Sequence, residues 1–454
     1  MKNWWIKGLR SLISFDNGKR LDLFVVFPAF RRFLAARHHF AQFRTVSDII
    51  FVVILVFGLF GPQDPDKNFV TFLTWGILWP IVVLSWFFTG RMWCGLCPFP
   101  GLGVFLQKKG WTLKRERPEF MHKYSVYFSV FLLAFIIWVE IVADLAHWPA
   151  GTAWLLFSIM VGATIMAMIF PGQAWCRHIC PLGRISGAAA TLAITEFRAD
   201  HDKCRGCTTF ACKKGTDDKN GCPVYLGAFS VRNNLHCLIC GHCIPLCHRK
   251  SPQFLVRNPY NELIQNRGRY ITCTFTVPFL LGTQLARFLR EKPVYGKVQE
   301  MFSISDPLLF SVLLGICIGI VLLIIHLGTK TLTTSGDDHY FGSRSPMVPI
   351  LIPMAFTGEL AYRMGHFAEG IGDFLPTIGR QFDLSFLKVL SFNIPSTPVD
   401  VLSGFLLMNA AIAGGYVLWR YALGEFEGYL TLKDFLFLHL LLLLLLFAFL
   451  ATIF

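Results

Sequence analysis

The chain has 454 residues, 54% of them hydrophobic and only 15% charged, and its mean hydropathy is +0.52. Soluble domains carry about 25% charged residues, so this balance excludes an ordinary soluble enzyme and points to an integral membrane protein. The formal net charge of +14 is spread over many loops, as the Lys- and Arg-rich cytoplasmic loops of a membrane protein produce, and it is not gathered into a nucleic-acid-binding surface.

The first 44 residues are basic, with Lys2, Lys7, Arg10, Lys19, Arg20, Arg31, Arg32, Arg37 and Arg44. Trp4, Trp5, Ile6 and Leu9 beside those charges suggest a helix lying on the membrane surface. Leu23 to Phe30 is too short and too rich in Phe for the core of a cleavable signal peptide. About 20 apolar residues cross a bilayer as a helix, and spans are expected at 48–61, 70–90, 124–145 and 152–171. The loop from Gly61 to Phe69 is short and acidic, whereas the 91–123 loop carries Lys108, Lys109, Lys114, Arg115, Arg117 and Lys123. The positive-inside rule therefore puts the N-terminus and the 91–123 loop in the cytoplasm, and the polar segment 172–270 on the same side. Further spans are expected at 271–288, 307–327, 347–364, 401–421 and 434–454. The weakest is 271–288, which is short, contains Pro278 and is followed by Arg287, Arg290 and Lys292; if it is re-entrant, every later span inverts.

The expected fold is mainly α: a polytopic membrane bundle of about eight or nine spans with a cytoplasmic ferredoxin-like insert. Four regions follow: a basic N-terminus (1–44), membrane hairpins (45–197), the two-cluster insert (198–270) and C-terminal membrane helices (271–454). The hairpins are an internal repeat. One pair of spans ends in Arg91-Met-Trp-Cys94-Gly-Leu-Cys97-Pro, the next in Gln173-Ala-Trp-Cys176-Arg-His-Ile-Cys180-Pro. This is the pattern of a parallel duplication about an axis along the membrane normal.

Eight of the 14 cysteines fall between Cys204 and Cys247, in tight spacings with basic flanks, which argues for metal ligation in a reducing compartment over disulfides. Cys237-x2-Cys240-x2-Cys243-x3-Cys247 suits a cubane cluster: three close thiolates wrap one cluster and the fourth reaches its neighbour. Upstream lies Cys204-x2-Cys207-x4-Cys212-x9-Cys222-Pro223, with Lys213 to Gly221 as a polar insertion. The crossed pattern groups Cys204, Cys207, Cys212 and Cys247 around one [4Fe-4S] cluster, and Cys222, Cys237, Cys240 and Cys243 around the other. Paired zinc sites also use Cys-x2-Cys, but the x2-x2-x3 run is awkward for tetrahedral zinc. His248 stands where a ferredoxin has Pro. Cys94, Cys97, Cys176 and Cys180 are expected near one another at the cytoplasmic membrane face, where three roles stay open: a third metal or iron–sulfur centre, a redox-active dithiol set, or structure. Cys273 and Cys317 are isolated in apolar spans and read as small hydrophobes.

Hairpins ending in Cys-x3-Cys-Pro, followed by a two-cluster ferredoxin segment, resemble the NapH/NosR-type membrane polyferredoxins, and the CcoG-like proteins share parts of the plan. The resemblance covers about 45–270. It implies a bacterial-type cytoplasmic-membrane protein that moves electrons between the quinone pool and a respiratory reductase, or services one. The first pair, Cys94-x2-Cys97-Pro, is one residue short of the family spacing. No large flavin domain precedes the spans as in the NosR type, and the minimal NapH plan lacks the last third of this chain.

Intramembrane ionisable residues are functional candidates by default. Glu140 and Asp144 lie one turn apart near His147, and Glu359, Arg363 and His366 share a helical face. Either group can be read as a quinone site; the plainer readings are an interfacial cap and an ion pair that fixes helix register. His326 and His439 are candidate haem b ligands, against their being hydrogen-bonded helix partners. Val161-Gly-Ala-Thr164 reads as a helix-packing stretch and not a flavin attachment. No nucleotide-binding loop or Ser/His/Asp signature is evident. Three functions compete: a quinone-linked electron-transfer subunit of a larger complex, an assembly factor that reduces metals or thiols, and a transporter or anchor whose clusters sense redox state. Arg205, Lys213, Lys214, Arg249 and Lys250 around the clusters suit docking of an acidic electron carrier.

Overall fold

The computed structural model describes residues 21–217, 219–265, 271–332, 345–424 and 432–454. The surface helix expected around Trp4, Trp5, Ile6 and Leu9 lies outside them. The described chain opens with a single helical turn, Leu23–Val26, capped by Asp22, and then a short helix, α1 (Pro28–Ala35), started by Pro28 at a position where no amide donor is needed. It does not face outward on its own. Phe24, Phe30 and Leu34 pack on Phe254, and Asp22 bridges to Leu255, so this segment is part of the cluster-bearing region.

The first hairpin is α2 (Arg37–Phe60) and a second helix beginning at Phe69 and ending as α3 (Trp79–Thr89). Between Phe72 and Leu78 this second helix widens to a π turn. Pro80 explains it: its missing N–H breaks the usual ladder, and the Trp79 N–H reaches the Thr74 carbonyl instead. The second hairpin is α4 (Glu119–Val142) and α5 (Pro149–Ile169), after which α6 (Pro181–Ala189) lies buried beside α4.

Strand β1 (Thr195–Ala199) pairs antiparallel with β2 (Pro252–Val256), Phe197 opposite Phe254, and this ribbon closes the cluster-bearing segment at its base. Its anchor is a buried ring of four charges. Arg198 Nη2 lies 2.9 Å from Glu196 and 3.2 Å from Glu262, and Arg257 pairs with both acids. Arg257 also donates to the carbonyls of Ala190, Thr191 and Ala193, at the C-terminal end of the α6 segment. The cluster-bearing segment is thereby locked to the membrane helices, and Leu235 and Leu263 add apolar contact by packing into the same buried cluster as Trp86 and Leu280.

The long helices that follow are α7 (Ile271–Arg290), α8 (Asp306–Leu332), α9 (Val348–Gln381), α10 (Ser396–Gly424) and α11 (Leu432–Ile453). Seven helices among the described residues are long and apolar enough to cross a membrane: Gln42–Phe60, Phe69–Thr89, Lys123–Val142, Pro149–Ile169, Asp306–Leu332, Ser396–Tyr421 and Leu432–Ile453. The chain is a multi-pass membrane protein. The expected spans at 271–288 and 347–364 are also helical, but they are less apolar and lie inside the bundle. α9 is buried almost continuously from Val348 to Ala361, and α7 buries Thr276, Thr283, Gln284 and Arg287. Both helices turn polar side chains toward each other, while Phe131, Ile316 and Phe447 on the outer helices are exposed, as a lipid-facing surface requires. The backbones of the π turn and α9 touch at Gly76 and Gly370, where a Cβ on Gly76 would stand 3.1 Å from the Gly370 Cα.

Candidate iron–sulfur centres

Three sets of four cysteines converge in the structure. Cys204, Cys207, Cys212 and Cys247 line one cavity, together with His201, Lys203, Arg205 and Arg249. Asp200 caps the short helix that presents Cys204, accepting from the amides of Asp202 and Lys203. Cys204 Sγ lies 3.1 Å from Ser251 Oγ, and the Ser251 amide donates to Cys247 Sγ at 3.4 Å. The backbone amide of Phe210, with the Thr209 hydroxyl, holds the half-buried Cys207 thiol below its ordinary value, whereas burial raises Cys212. The polar insertion forms a small antiparallel pair, Gly215–Thr216 with Lys219–Asn220, directed away from the cavity lining.

Cys222, Cys237, Cys240 and Cys243 line a second, more enclosed cavity with Phe197, Val224, Val231 and Ile239. Burial pushes Cys237 up to about 11 and Cys240 up to about 12, with Cys222 adding to the latter. Cys243 is raised by burial and then by Cys237 and Cys240. Ile239 and Gly241 have positive φ (50° and 70°), which turns successive amides inward; Ile239 and His242 amides reach Cys237 and Cys240. A Cβ at Gly241 would stand 2.5 Å from the Leu34 carbonyl as well as in the left-handed region. Gly241→Ala is therefore expected to lower the thermal unfolding midpoint and loosen the second cavity, seen as iron loss on dialysis; a variant with native midpoint and iron content would refute this.

The two cavities adjoin. Ala228 lines both, and Cys243 is close enough to Cys212 to be raised by it.

The third set comes from the repeat. Cys94 sits on the short helix Met92–Leu96, Cys97 follows it, Cys176 is on a π turn (Trp175–Ile179), and Cys180 caps α6 by accepting from the Gly183 amide at 3.2 Å. Burial, then Cys176, Cys94 and Cys180, raise Cys97; burial, then Cys94, push Cys180 up to about 11. Phe51, Phe99 and Trp175 form an apolar cover on this set. Gly95, between Cys94 and Cys97, lies directly on the second cavity: a Cβ there would stand 3.2 Å from the Cys240 Cα. The three sets thus run in a line from the half-buried Cys207 to the membrane hairpins.

The buried thiols of the second and third sets raise one another's pKa, so holding them as thiolates calls for a positive body between them; no carboxylate lines the first or the second cavity. Four thiols with backbone amides aimed at their sulfurs are a donor set that fits an iron–sulfur cluster.

Arg91 and Arg184, beside the third set, had no place in the sequence reading. Arg184 donates to Ser129, Ser125 and the His178 carbonyl, fastening α6 to α4. Burial, and then Arg91, push it down to about 10. The signal for Arg91 was its position three residues before Cys94.

The intramembrane candidates rearrange. Glu140 on α4, Arg287 on α7 and Glu359 and Arg363 on α9 form one buried ring. Arg363 Nη2 lies 2.9 Å from Glu140 and its Nε 2.9 Å from Glu359; Arg287 reaches Glu140 at 3.2 Å and Glu359 at 3.3 Å. Trp75, Trp79 and Tyr362 face the Arg363 guanidinium. Glu140 and Asp144 lie apart in the structure: α4 ends before Asp144, which has φ 47° and an exposed contact to His147 at 2.9 Å. His366 packs edge-on to Tyr362 and lies 3.9 Å from Glu369, outside the ring. His326 is on the exposed face of α8. His439 Nδ1 meets the Phe435 carbonyl at 2.9 Å, and its other nitrogen lies near Gly415 of α10, so the two histidines have different surroundings. Thr164 bonds the Met160 carbonyl within α5, and the packing role of that stretch is seen where Gly103 meets Thr164 and Ala167.

A family model described as a 4Fe-4S binding domain matches the chain twice, at residues 71–117 and 152–192. The matches fall on the two hairpins, each with its own cysteine pair. The uncharacterized protein MJ0749 of Methanocaldococcus jannaschii is 24% identical over 180 residues, which is 38% of this chain and 68% of that protein. No solved structure matches. The chain therefore carries a 4Fe-4S binding domain within a multi-pass membrane frame, and with it an electron-transfer role.

Proposed function

We propose that this chain is a membrane electron-transfer subunit that relays electrons between the quinone pool and a respiratory redox partner through three iron–sulfur centres. The observation that carries the reading is the continuity of the three cysteine sets, joined by Ala228 and by the Gly95–Cys240 contact. Cys204, Cys207, Cys212 and Cys247 would hold one [4Fe-4S] cluster; Cys222, Cys237, Cys240 and Cys243 the second; Cys94, Cys97, Cys176 and Cys180 the third. Clusters bound there supply one-electron carriers whose potentials follow charge, sulfur hydrogen bonds and exposure.

The chain's own groups divide the work. Amides of Phe210, Ile239 and His242 donate to sulfurs and stabilise the thiolate form. Phe51, Phe99 and Trp175 keep water from the third set. Lys203, Arg205, Arg232 and Arg249 rim the outermost cavity and suit an acidic protein carrier. The cytoplasmic placement rests on the basic 91–123 loop, which lies on the cluster-bearing face: Leu113 and Arg115 amides bond the Met168 and Ile169 carbonyls, beside that segment. The quinone end rests on the family resemblance and on the third set's position at the membrane hairpins.

The test uses the full chain purified without oxygen in mild detergent. Cys94→Ser and Cys176→Ser should each lose the same electron paramagnetic resonance signal, while two cluster signals remain. Loss of different signals, or no change in iron content, would contradict the shared third centre. A quinol analogue should bleach the visible cluster absorbance of the unmodified chain; reduction of copper without any response to quinol would favour the assembly-factor reading instead.

A further inference from the structure

Arg91 is only 4% exposed, yet its Nε and Nη2 have no nitrogen or oxygen hydrogen-bond partner among the described residues; the guanidinium meets the Cys94 thiol instead. A guanidinium in such a place is costly unless negative charge stands beside it. Its third nitrogen, Nη1, donates to the Leu235 carbonyl at 2.6 Å, two residues before Cys237. The Nε and Nη2 side faces the hairpin cysteines. A Cβ built on Gly183 would stand 2.9 Å from Arg91 Nη2, 3.3 Å from the Cys176 carbonyl and 3.4 Å from the Cys180 Cβ. Arg91 and Cys176 also line one small cavity with Arg177, Arg184 and His236. Gly183 and Gly187 on α6 leave the room the guanidinium fills; at Gly187 a Cβ would meet the Leu235 carbonyl at 2.6 Å. In the repeat, Gln173 occupies the position equivalent to Arg91, so that position is charged in the first half only.

We infer that Arg91 is a positioning residue that sets the reduction potential of the third centre and ties that centre to the Cys237 loop. The inference rests on the third-centre reading above. A fixed cation beside a buried cluster favours the reduced, more negative state and raises its potential. Burial acts to lower the Arg91 pKa, but Cys94, Cys180 and Cys176 together outweigh it and raise it, in keeping with that placement.

The experiment is a redox titration with dithionite, followed by electron paramagnetic resonance, of the full chain and three variants. The third-centre signal is identified as the one lost in Cys94→Ser. In Arg91→Gln its one-electron equilibrium should shift at least tenfold toward the oxidised form, about 59 mV lower in midpoint, with a smaller shift for the Cys240-dependent signal. Gly183→Ala, which crowds Nη2 while keeping the charge, should shift the same signal in the same direction but less. Arg91→Lys should restore most of the native midpoint. A third-centre midpoint unchanged in both Arg91→Gln and Gly183→Ala overturns the inference, as does a lysine variant that shifts as far as glutamine. If the unmodified chain has no Cys94-dependent signal, the third-centre reading itself has failed.

Discussion

Cys247→Ser is expected to abolish the same cluster signal as Cys204→Ser, and Cys243→Ser the same signal as Cys240→Ala. Neighbours in sequence would thus fall into different groups, while residues from separate motifs fall together. The reason is the cavity lining: Cys247 faces Cys204 through the shared Ser251, whereas Cys243 turns to Cys237 and Cys240. Each loss should remove about four irons per chain, since a cubane missing one thiolate is no longer held in place. Of the two signals, the one dependent on Cys204 should react first with an added oxidant, because Cys207 and the cationic rim lie at the surface. If Cys247→Ser instead removes the Cys243-dependent signal, the crossed grouping is wrong.

The second large effect concerns the intramembrane ring. Arg363→Met leaves Glu140 and Glu359 facing each other with Arg287 alone between them. Breaking a buried ion pair by removing one partner costs about 3–5 kcal/mol, so a pronounced fall in the thermal unfolding midpoint in detergent is expected. Arg363→Lys should recover little, because the guanidinium reaches Glu359 through Nε and Glu140 through Nη2 at once, a fork that an ammonium cannot copy. Replacing all four charges by apolar residues of similar size should be far milder than the single change. These outcomes mark the ring as the joint between the second hairpin and the C-terminal helices. An Arg363→Met chain with native stability but no response to a quinol analogue would give the ring a redox role instead.

Much of the plan could be read from residue patterns. Apolar length alone marks the seven spans, and the Trp-Cys…Cys-Pro ending reveals the repeat on which the 4Fe-4S family model falls twice. The same fours of cysteines that the motif spacing groups are found around the two cavities. What escaped was long-range pairing. Nothing local in Glu140 announces Arg287 and Arg363, and the sequence shows Glu359 and Arg363 only as an i, i+4 pair. Glu140 and Asp144 stand one turn apart in the sequence, but the helix ends at Val142, and Asp144 meets His147 at the exposed end while Glu140 joins the buried ring. Spans were expected at 271–288 and 347–364, but α7 and α9 are less apolar than the seven outer spans because they satisfy polar groups against each other inside the bundle. The packing of Phe24 and Leu34 under the cluster-bearing segment was hidden behind the basic charges around them.

The central claim is that three cysteine sets hold three linked centres. Iron and acid-labile sulfide analysis, joined to Mössbauer spectroscopy of the full chain isolated anaerobically, tests it most directly. The account predicts about 12 irons per chain, all in cubane-type environments, falling to about eight in Cys94→Ser. A chain carrying zinc in place of iron, or one with about eight irons that Cys94→Ser leaves untouched, would contradict it.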